Sequence, residues 1–172
     1  MTGSLLLRNR QRTKAVNLPF LRRIVGALLQ ELFQTKSFDL GVYLVGAKEM
    51  TKLNNSFLGH PGSTDVITFD YSEIPTEAPR ALNPPTVLHG EIFICVDEAV
   101  RQARRFKTTW QSEVARYLIH ALLHLQGHDD VRPAKRRRMK VQENQLLLRL
   151  AHQFDLKRIS ILRKGAAERA AL

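Results

Sequence analysis

The chain of 172 residues contains a single cysteine, Cys95, and this scarcity narrows the kinds of protein it can be. One cysteine forms no internal disulfide and builds no metal site from clustered thiolates. A reducing compartment is therefore expected, with no disulfide-linked partner. Because Cys95 lies inside the apolar run of residues 92–96, we predict a buried, unreactive thiol rather than a nucleophile.

Long hydrophobic runs are missing as well. No apolar segment approaches the roughly 20 residues that cross a bilayer, and residues 5–7 are too short for the core of a signal peptide. We therefore predict a cytoplasmic protein that does not bind a membrane. Hydrophobic residues still make up 44% of the chain, so we expect one domain over residues 1–162 and a frayed tail over residues 163–172.

Acidic residues are scarce: the first is Glu31, and the formal net charge is +11. The positive charges concentrate on both sides of residues 110–126. Such clusters make salt-sensitive, sequence-independent contacts to phosphate groups, so a nucleic acid is the predicted partner, although part of each cluster is expected to be a solvated helix face. Aromatic residues are sparse among them, so base stacking is not indicated. The cluster residues are Arg101, Arg104, Arg105, Lys107, Arg132, Lys135, Arg136, Arg137, Arg138 and Lys140.

The hydrophobic pattern predicts alternating strands and helices without an internal repeat. Apolar runs predict strands over residues 5–9, 37–45, 64–69 and 88–95. Apolar residues at helical spacing predict helices over residues 17–33, 47–57, 97–107, 110–126 and 133–154, with Asn17 and Asp97 as caps. Residues 71–88 contain four prolines and are predicted to form a long surface connection.

The helix predicted over residues 110–126 carries His120 and His124 one turn apart, so both point the same way. Its C-terminal half is apolar nearly all round, and we expect it to be buried, with both histidines facing a groove beside the sheet. A lone histidine on a buried helix is usually a core residue, but a pair at this spacing suits zinc, whose ligand nitrogens lie at about 2.0–2.1 Å. Gly127 offers a helix stop that lets the chain turn back.

A third ligand must follow that stop. If the helix continued, His128 would lie roughly 12 Å from His120 along the helix axis, too far for one ion. Asp130 and His128 after the stop are therefore the candidates. Three protein ligands leave a fourth position for water, whose pKa zinc lowers toward neutrality. Zinc peptidases of this helical type carry a glutamate after the first histidine, and Ala121 in that position disfavours a peptidase.

Residues 120–130 resemble the signature of the YbeY-type metal-dependent endoribonucleases, which reads His-Gly-x-Leu-His-Leu-x-Gly-x-Asp-His. The last histidine of the signature, a metal ligand, falls on Asp130, an oxygen donor that zinc also accepts. We therefore favour Asp130 over His128, which occupies a variable position, and assign Asp129 to fixing the turn or orienting a histidine. Six of the eight specified positions match, at His120, Leu123, His124, Leu125, Gly127 and Asp129.

Two further segments resemble a second block of the same family. Residues 53–59 and 63–69 follow the family pattern Leu-Asn-x-x-Tyr/Arg and then Pro-Thr-Asp-Val-Leu-Ser-Phe. Leu58 stands in place of a family arginine that assists catalysis or RNA binding, and Ser63 in place of the proline. Residues 90–92 are similar to the Gly-Asp-Ile strand start of the family, so the resemblance covers about residues 40–130.

The resemblance implies an α+β fold, in which a small mixed sheet of about four strands packs with about five helices around a central buried metal-bearing helix. It implies one zinc ion per chain, held by His120, His124 and Asp130, which are also the catalytic residues. It further implies a single-strand-specific endoribonuclease that matures the 3' end of small-subunit ribosomal RNA in ribosome biogenesis. Because Leu58 and Asp130 depart at functional positions, the alternative is an RNA-binding ribosome assembly factor with weak nuclease activity.

Overall fold

Four strands and five α-helices make up the part of the chain that the computed structural model describes, residues 2–32, 35, 37–72 and 87–161. Short π-helical turns lie at Leu28–Leu32 and Asn54–Leu58, and a 3₁₀ turn lies at Leu156–Ile159. The elements in chain order are β1 (Thr2–Asn9), α1 (Leu18–Ala27), β2 (Ser37–Val45), α2 (Ala47–Leu53), β3 (Val66–Asp70), β4 (Val87–Cys95), α3 (Val96–Phe106), α4 (Trp110–Leu125) and α5 (Pro133–Gln153).

The sheet is mixed, with strand order β1-β2-β4-β3, which confirms the expected α+β architecture. Strands β1, β2 and β4 run parallel, and β3 pairs antiparallel with β4 at one edge. The predicted connection over residues 71–88 falls largely on residues 73–86, outside the described part of the chain, while Val87 and Leu88 already belong to β4. The predicted tail over residues 163–172 also lies outside the described residues.

The predicted burial of the helix that carries the two histidines is confirmed. Val114, Leu118, Ile119, Leu122 and Leu125 of α4 are fully buried in the main core, together with residues of α1, the sheet and α5. A second, smaller cluster lies on the other face of the sheet beneath α2. Helix α4 is therefore held on the sheet from several directions, which fixes the position of its polar side chains.

The prediction that Asn17 caps the first helix is confirmed, and the prediction that Asp97 caps α3 is wrong. The Asn17 side chain accepts a hydrogen bond from the Phe20 amide at 3.1 Å and starts α1. Strand β4 runs directly into α3, so Cys95 occupies the cap position and Asp97 lies in the first turn. The Asp97 carboxylate instead accepts the Ala47 amide of α2 at 2.6 Å, so it caps a neighbouring helix.

The described helices include none with the length and apolar character needed to cross a membrane.

Candidate metal centre

Helix α4 brings the His120 and His124 rings into direct contact. Their Nε2 atoms are 3.0 Å apart, and the rings meet nearly edge to face at 78°. The helix ends at Leu125, and Gly127 adopts the left-handed conformation with φ 90°. The His128 amide then donates to the Leu123 carbonyl at 3.0 Å, which completes a Schellman turn. The predicted stop at Gly127 is therefore confirmed, and the chain returns toward the two rings.

Asp130 follows this turn and faces both histidines. Its Oδ2 atom lies 3.9 Å from His120 Nε2, and its Oδ1 atom lies 3.9 Å from His124 Nε2. One ligand atom from each residue can be chosen so that all three lie within 4.8 Å of one another. Tetrahedral zinc with ligands at about 2.0–2.2 Å separates neighbouring ligand atoms by about 3.3 Å. The observed separations lie on either side of that value, so the three residues form a candidate metal site.

The outer nitrogen of each ring is held by an acceptor. His124 Nδ1 lies 3.0 Å from the backbone carbonyl oxygen of His128, and a carbonyl oxygen can only accept. The proton of a neutral His124 ring is therefore on Nδ1, which leaves a lone pair on Nε2. His120 Nδ1 lies 3.1 Å from the Glu143 carboxylate, which selects the same tautomer. Burial and the neighbouring His120 lower the pKa of His124, which keeps the ring neutral.

Glu143 is the residue of this centre that the sequence did not reveal. The residue is only 4% exposed, and its carboxylate accepts hydrogen bonds from Arg116 at 2.7 Å and Lys140 at 2.8 Å, besides its contact with His120. Burial alone would raise the pKa of Glu143, but the hydrogen bonds from His120, Lys140 and Arg116 outweigh it and hold the pKa at about 2. Glu143 is the one acidic residue in the strongly basic α5, and this isolation was the available signal.

The side chains of Asp129 and His128 are not in the ligand cluster. Both residues instead form hydrogen bonds that shape the loop after α4. The Asp129 carboxylate accepts the Val131 amide at 2.9 Å and the Lys135 ammonium at 2.9 Å. These two hydrogen bonds, the amide first, lower the pKa of Asp129. His128 contributes its carbonyl oxygen to His124, and among the described residues the ligand cluster consists of His120, His124 and Asp130.

A cavity of about 340 Å³ opens between α3, α4 and α5, beside His120 and Asp130. Three residues of the predicted basic clusters line it, Arg105, Arg136 and Lys140. Arg116 lines it as well, a residue outside both predicted basic clusters. Four carboxylates line it too, those of Asp65, Glu113, Asp130 and Glu143. The cavity therefore carries charges of both signs, and its arginine and lysine side chains are the ones suited to bind phosphate groups.

The other members of the predicted basic clusters lie elsewhere. Arg101 pairs with Glu98 at 2.9 Å. Arg137 and Arg138 line a separate shallow cavity on α5. The cavity beside His120 and Asp130 does not include the exposed side chains of Arg104, Lys107, Arg132 and Lys135.

A second cavity, of about 300 Å³, lies on the other side of the histidine pair. It is lined by both histidines, by residues along β3, and by Leu58, whose side chain is half exposed. The two cavities share His120 and Asp65, so they adjoin at the candidate metal site. Leu58 thus faces the same space as the two rings, at the position where the family resemblance expects an arginine.

Comparison with known proteins finds close relatives over most of the chain. The sequence model of the family described as "Endoribonuclease YbeY" matches residues 6–151. A protein of that name from Chlorobium phaeovibrioides is 37% identical over 112 residues, which span 65% of this chain and 68% of that protein. Another from Chlamydia pneumoniae is 32% identical over 151 residues, which span 86% of this chain and 91% of that protein.

A solved structure is similar in fold. The solution structure of a protein from Thermotoga maritima aligns with a TM-score of 0.63 and 21% sequence identity, and the alignment covers 94% of this chain and 99% of that one. At this level of identity the likeness concerns the fold alone.

Proposed function

The chain belongs to the endoribonuclease YbeY family, and on this premise we propose that it is a metal-dependent endoribonuclease that cleaves single-stranded RNA. The observation that carries the proposal is the convergence of His120, His124 and Asp130 beside a cavity that arginine and lysine side chains help to line. Two imidazole nitrogens and a carboxylate oxygen are a donor set that zinc accepts, and we propose one zinc ion per chain.

Each residue of the centre has a defined task in this proposal. His120, His124 and Asp130 hold the ion, while Glu143 and the His128 carbonyl keep both rings turned toward it. When bound, zinc supplies Lewis acidity toward a phosphoryl oxygen and lowers the pKa of a coordinated water molecule. Asp130 is an anion where the family signature has a neutral imidazole, so it neutralises more of the charge of the ion.

The cavity beside His120 and Asp130 supplies the contacts to the substrate backbone. Arg105 and Arg136 line it and carry charges that phosphate groups attract, while Arg116 and Lys140 also hold Glu143 in place. We assign the role of RNA binding to the cavity-lining members of the two basic clusters. By the family resemblance, the RNA is ribosomal, and its processing belongs to the maturation of the small ribosomal subunit in the cytoplasm.

A weakly active RNA-binding assembly factor is the second candidate. It is favoured by Leu58, an uncharged side chain in the cavity that contains both histidine rings. A zinc peptidase has less support. Ala121, the residue after His120, is fully buried and offers no carboxylate as general base. Glu143 does not replace one, because its carboxylate is engaged by Arg116, Lys140 and His120.

Cleavage of a labelled single-stranded RNA by zinc-loaded protein tests the proposal. We expect cleavage by the wild type, and loss of cleavage with His120→Ala or after removal of metal by a chelator. Activity that survives both treatments would come from a contaminating nuclease and would overturn the assignment. Tight RNA binding without cleavage under any divalent metal would favour the assembly factor.

A further inference from the structure

Strand β3 is the outermost strand of the sheet and forms one wall of the second cavity, next to His120 and His124. Among the described residues it pairs only with β4, and no other described strand lies along its outer edge. Main-chain N–H and C=O groups along a strand edge are strong and regularly spaced hydrogen-bonding sites. The edge therefore offers a row of polar atoms at the candidate metal site.

The hydrogen-bonding pattern identifies which residues of β3 point outward. The Cys95 amide donates to the Asp65 carbonyl at 2.8 Å, and the Tyr71 amide donates to the His89 carbonyl at 2.8 Å. Alternate residues of an antiparallel strand face the same neighbour, so residues 65, 67, 69 and 71 direct their main chain toward β4. The close approach of the Phe69 carbonyl oxygen to Gly90 of β4 supports this assignment, because a side chain at Gly90 would collide with that oxygen.

The main-chain N–H and C=O groups of Thr68 consequently both point away from β4. Val66, the outward residue two positions earlier, has its amide taken up by the Asp65 carboxylate at 2.9 Å, and so presents only its carbonyl. Thr68 thus places one donor and one acceptor side by side on the edge of the cavity that contains His120 and His124.

We propose that this edge of β3 binds the nucleobases of an extended single strand of RNA, with the Thr68 N–H and C=O pairing to the Watson–Crick edge of one base. Each RNA base has a donor next to an acceptor on that edge, so the contact accepts any base. In a duplex the same base edges are occupied by the complementary strand. The strand edge therefore selects single-stranded RNA, and the inference rests on the substrate class of the proposed function.

Charge decides between RNA and an extended peptide, which is the other occupant suited to a free strand edge. The chain has a formal net charge of +11. The adjoining cavity, reached past His120 and Asp65, is lined by Arg105, Arg136 and Lys140 as well as by carboxylates. A strand of RNA that crosses the candidate metal site places its phosphates among these cations and its bases along β3. A peptide has no comparable repeating negative charge.

Binding measured without cleavage tests the inference. The Thr68→Pro variant removes the outward N–H, and proline is tolerated at a strand edge when its nitrogen faces away from the neighbouring strand. Thr68→Ala is the matched reference, because it removes the side chain and keeps the amide. In the metal-free full chain, we expect Thr68→Pro to raise the Kd for a fluorescent ten-nucleotide single strand roughly fivefold relative to Thr68→Ala, as expected for one hydrogen bond. Equal Kd values for the two folded variants would overturn the inference.

A second measurement uses the unaltered protein and does not depend on the folding of a variant. We compare an oligonucleotide of uridine with one of N3-methyluridine, in which a methyl group blocks the Watson–Crick edge but the phosphates are unchanged. We expect the methylated strand to bind at least fivefold more weakly, and hydrogen exchange at the Thr68 amide to slow only with the unmodified strand. Equal binding of both strands overturns the inference, as does protection of that amide by an extended peptide but not by RNA.

The outcomes separate this inference from the proposed nuclease function. Base-edge binding by a chain that never cuts RNA would support the role of β3 and refute the nuclease. Metal-dependent cleavage that proceeds equally well on methylated RNA would support the nuclease and refute the role of β3.

Discussion

His120 and His124 face each other through Nε2 atoms 3.0 Å apart, while acceptors hold the Nδ1 atom of each ring. The His128 carbonyl and the Glu143 carboxylate place the ring protons on the outer nitrogens, so two lone pairs meet in the space beside Asp130. Such an arrangement is favourable when a cation lies between them. The orientation of the rings is therefore a stronger indication of metal binding than their spacing in the sequence.

Glu143→Gln tests the contribution of the carboxylate behind His120. The amide removes a negative charge that is 4% exposed and that binds Arg116, Lys140 and His120. We expect zinc affinity to fall about 10- to 100-fold, the range seen when outer partners of metal ligands are changed. Competition with a chromophoric chelator measures the affinity. The same substitution at Glu49, which pairs with Arg10 at 2.6 Å, is the control, and an equal effect there would contradict a specific role for Glu143.

Leu58→Arg tests whether the uncharged residue in the histidine cavity limits catalysis. The new guanidinium would enter the space beside His120 and His124 and attract a substrate phosphate. We expect kcat/KM for single-stranded RNA to rise about tenfold, measured under conditions of excess enzyme. His60→Arg adds the same charge at an exposed residue that does not line that cavity. If kcat/KM rises equally in both variants, general electrostatic attraction accounts for the change.

If the wild type does not cleave RNA, combining Asp130→His with Leu58→Arg tests whether the two departures from the family pattern cause that loss of activity.

Arg105→Gln tests the assignment of phosphate binding to the cavity beside His120 and Asp130. Each phosphate contact of a single strand contributes about 0.7 to the slope of log K against log salt concentration. We expect Arg105→Gln to reduce the magnitude of that slope by about this amount in a salt titration of RNA binding. Arg101, one turn earlier on α3, pairs with Glu98 outside the cavity, so Arg101→Gln should leave the slope nearly unchanged. A larger change at Arg101 would place the RNA on a different surface.

Cys95 provides a test of the fold that is independent of the metal. The thiol has no exposed surface, and burial raises its pKa from 9.0 to about 11. We expect no labelling by a thiol reagent at pH 8 in the native protein and full labelling in denaturant. A group with a raised pKa stabilises the fold fully below its unfolded value, so this contribution is present below pH 9 and is lost as the pH rises through 11. Labelling of the native chain at pH 8 would show that β4 is packed differently.

Elements with a local pattern were predicted closely. The alternation of Phe38, Leu40, Val42 and Leu44 predicted β2 over residues 37–45, and the strand spans Ser37–Val45. The histidine helix was predicted over residues 110–126 and spans Trp110–Leu125. Both predictions rest on the periodic spacing of apolar residues that are near one another in the chain, so a short segment of sequence contains the information.

Contacts between residues that are far apart in the sequence cannot be predicted from such local patterns. Glu143 contacts His120 across 23 positions, and no periodicity connects them. The basic cluster of α5 divides because successive helical residues are rotated by about 100°. Arg136 therefore lines the cavity beside His120 and Asp130, while Arg137 and Arg138 line another. The sequence predicts that Asp97 caps its own helix, because nothing in the local pattern reveals that its carboxylate reaches the Ala47 amide.

Metal content is the most direct test of a site built from His120, His124 and Asp130. Elemental analysis compares three purified proteins under identical conditions: the wild type, His124→Ala and the control His152→Ala. His152 is an exposed histidine near the end of α5. We expect about one zinc per chain in the wild type and in His152→Ala, and none in His124→Ala. A wild type without bound metal after zinc loading, or a His124→Ala variant that retains it, would contradict the account.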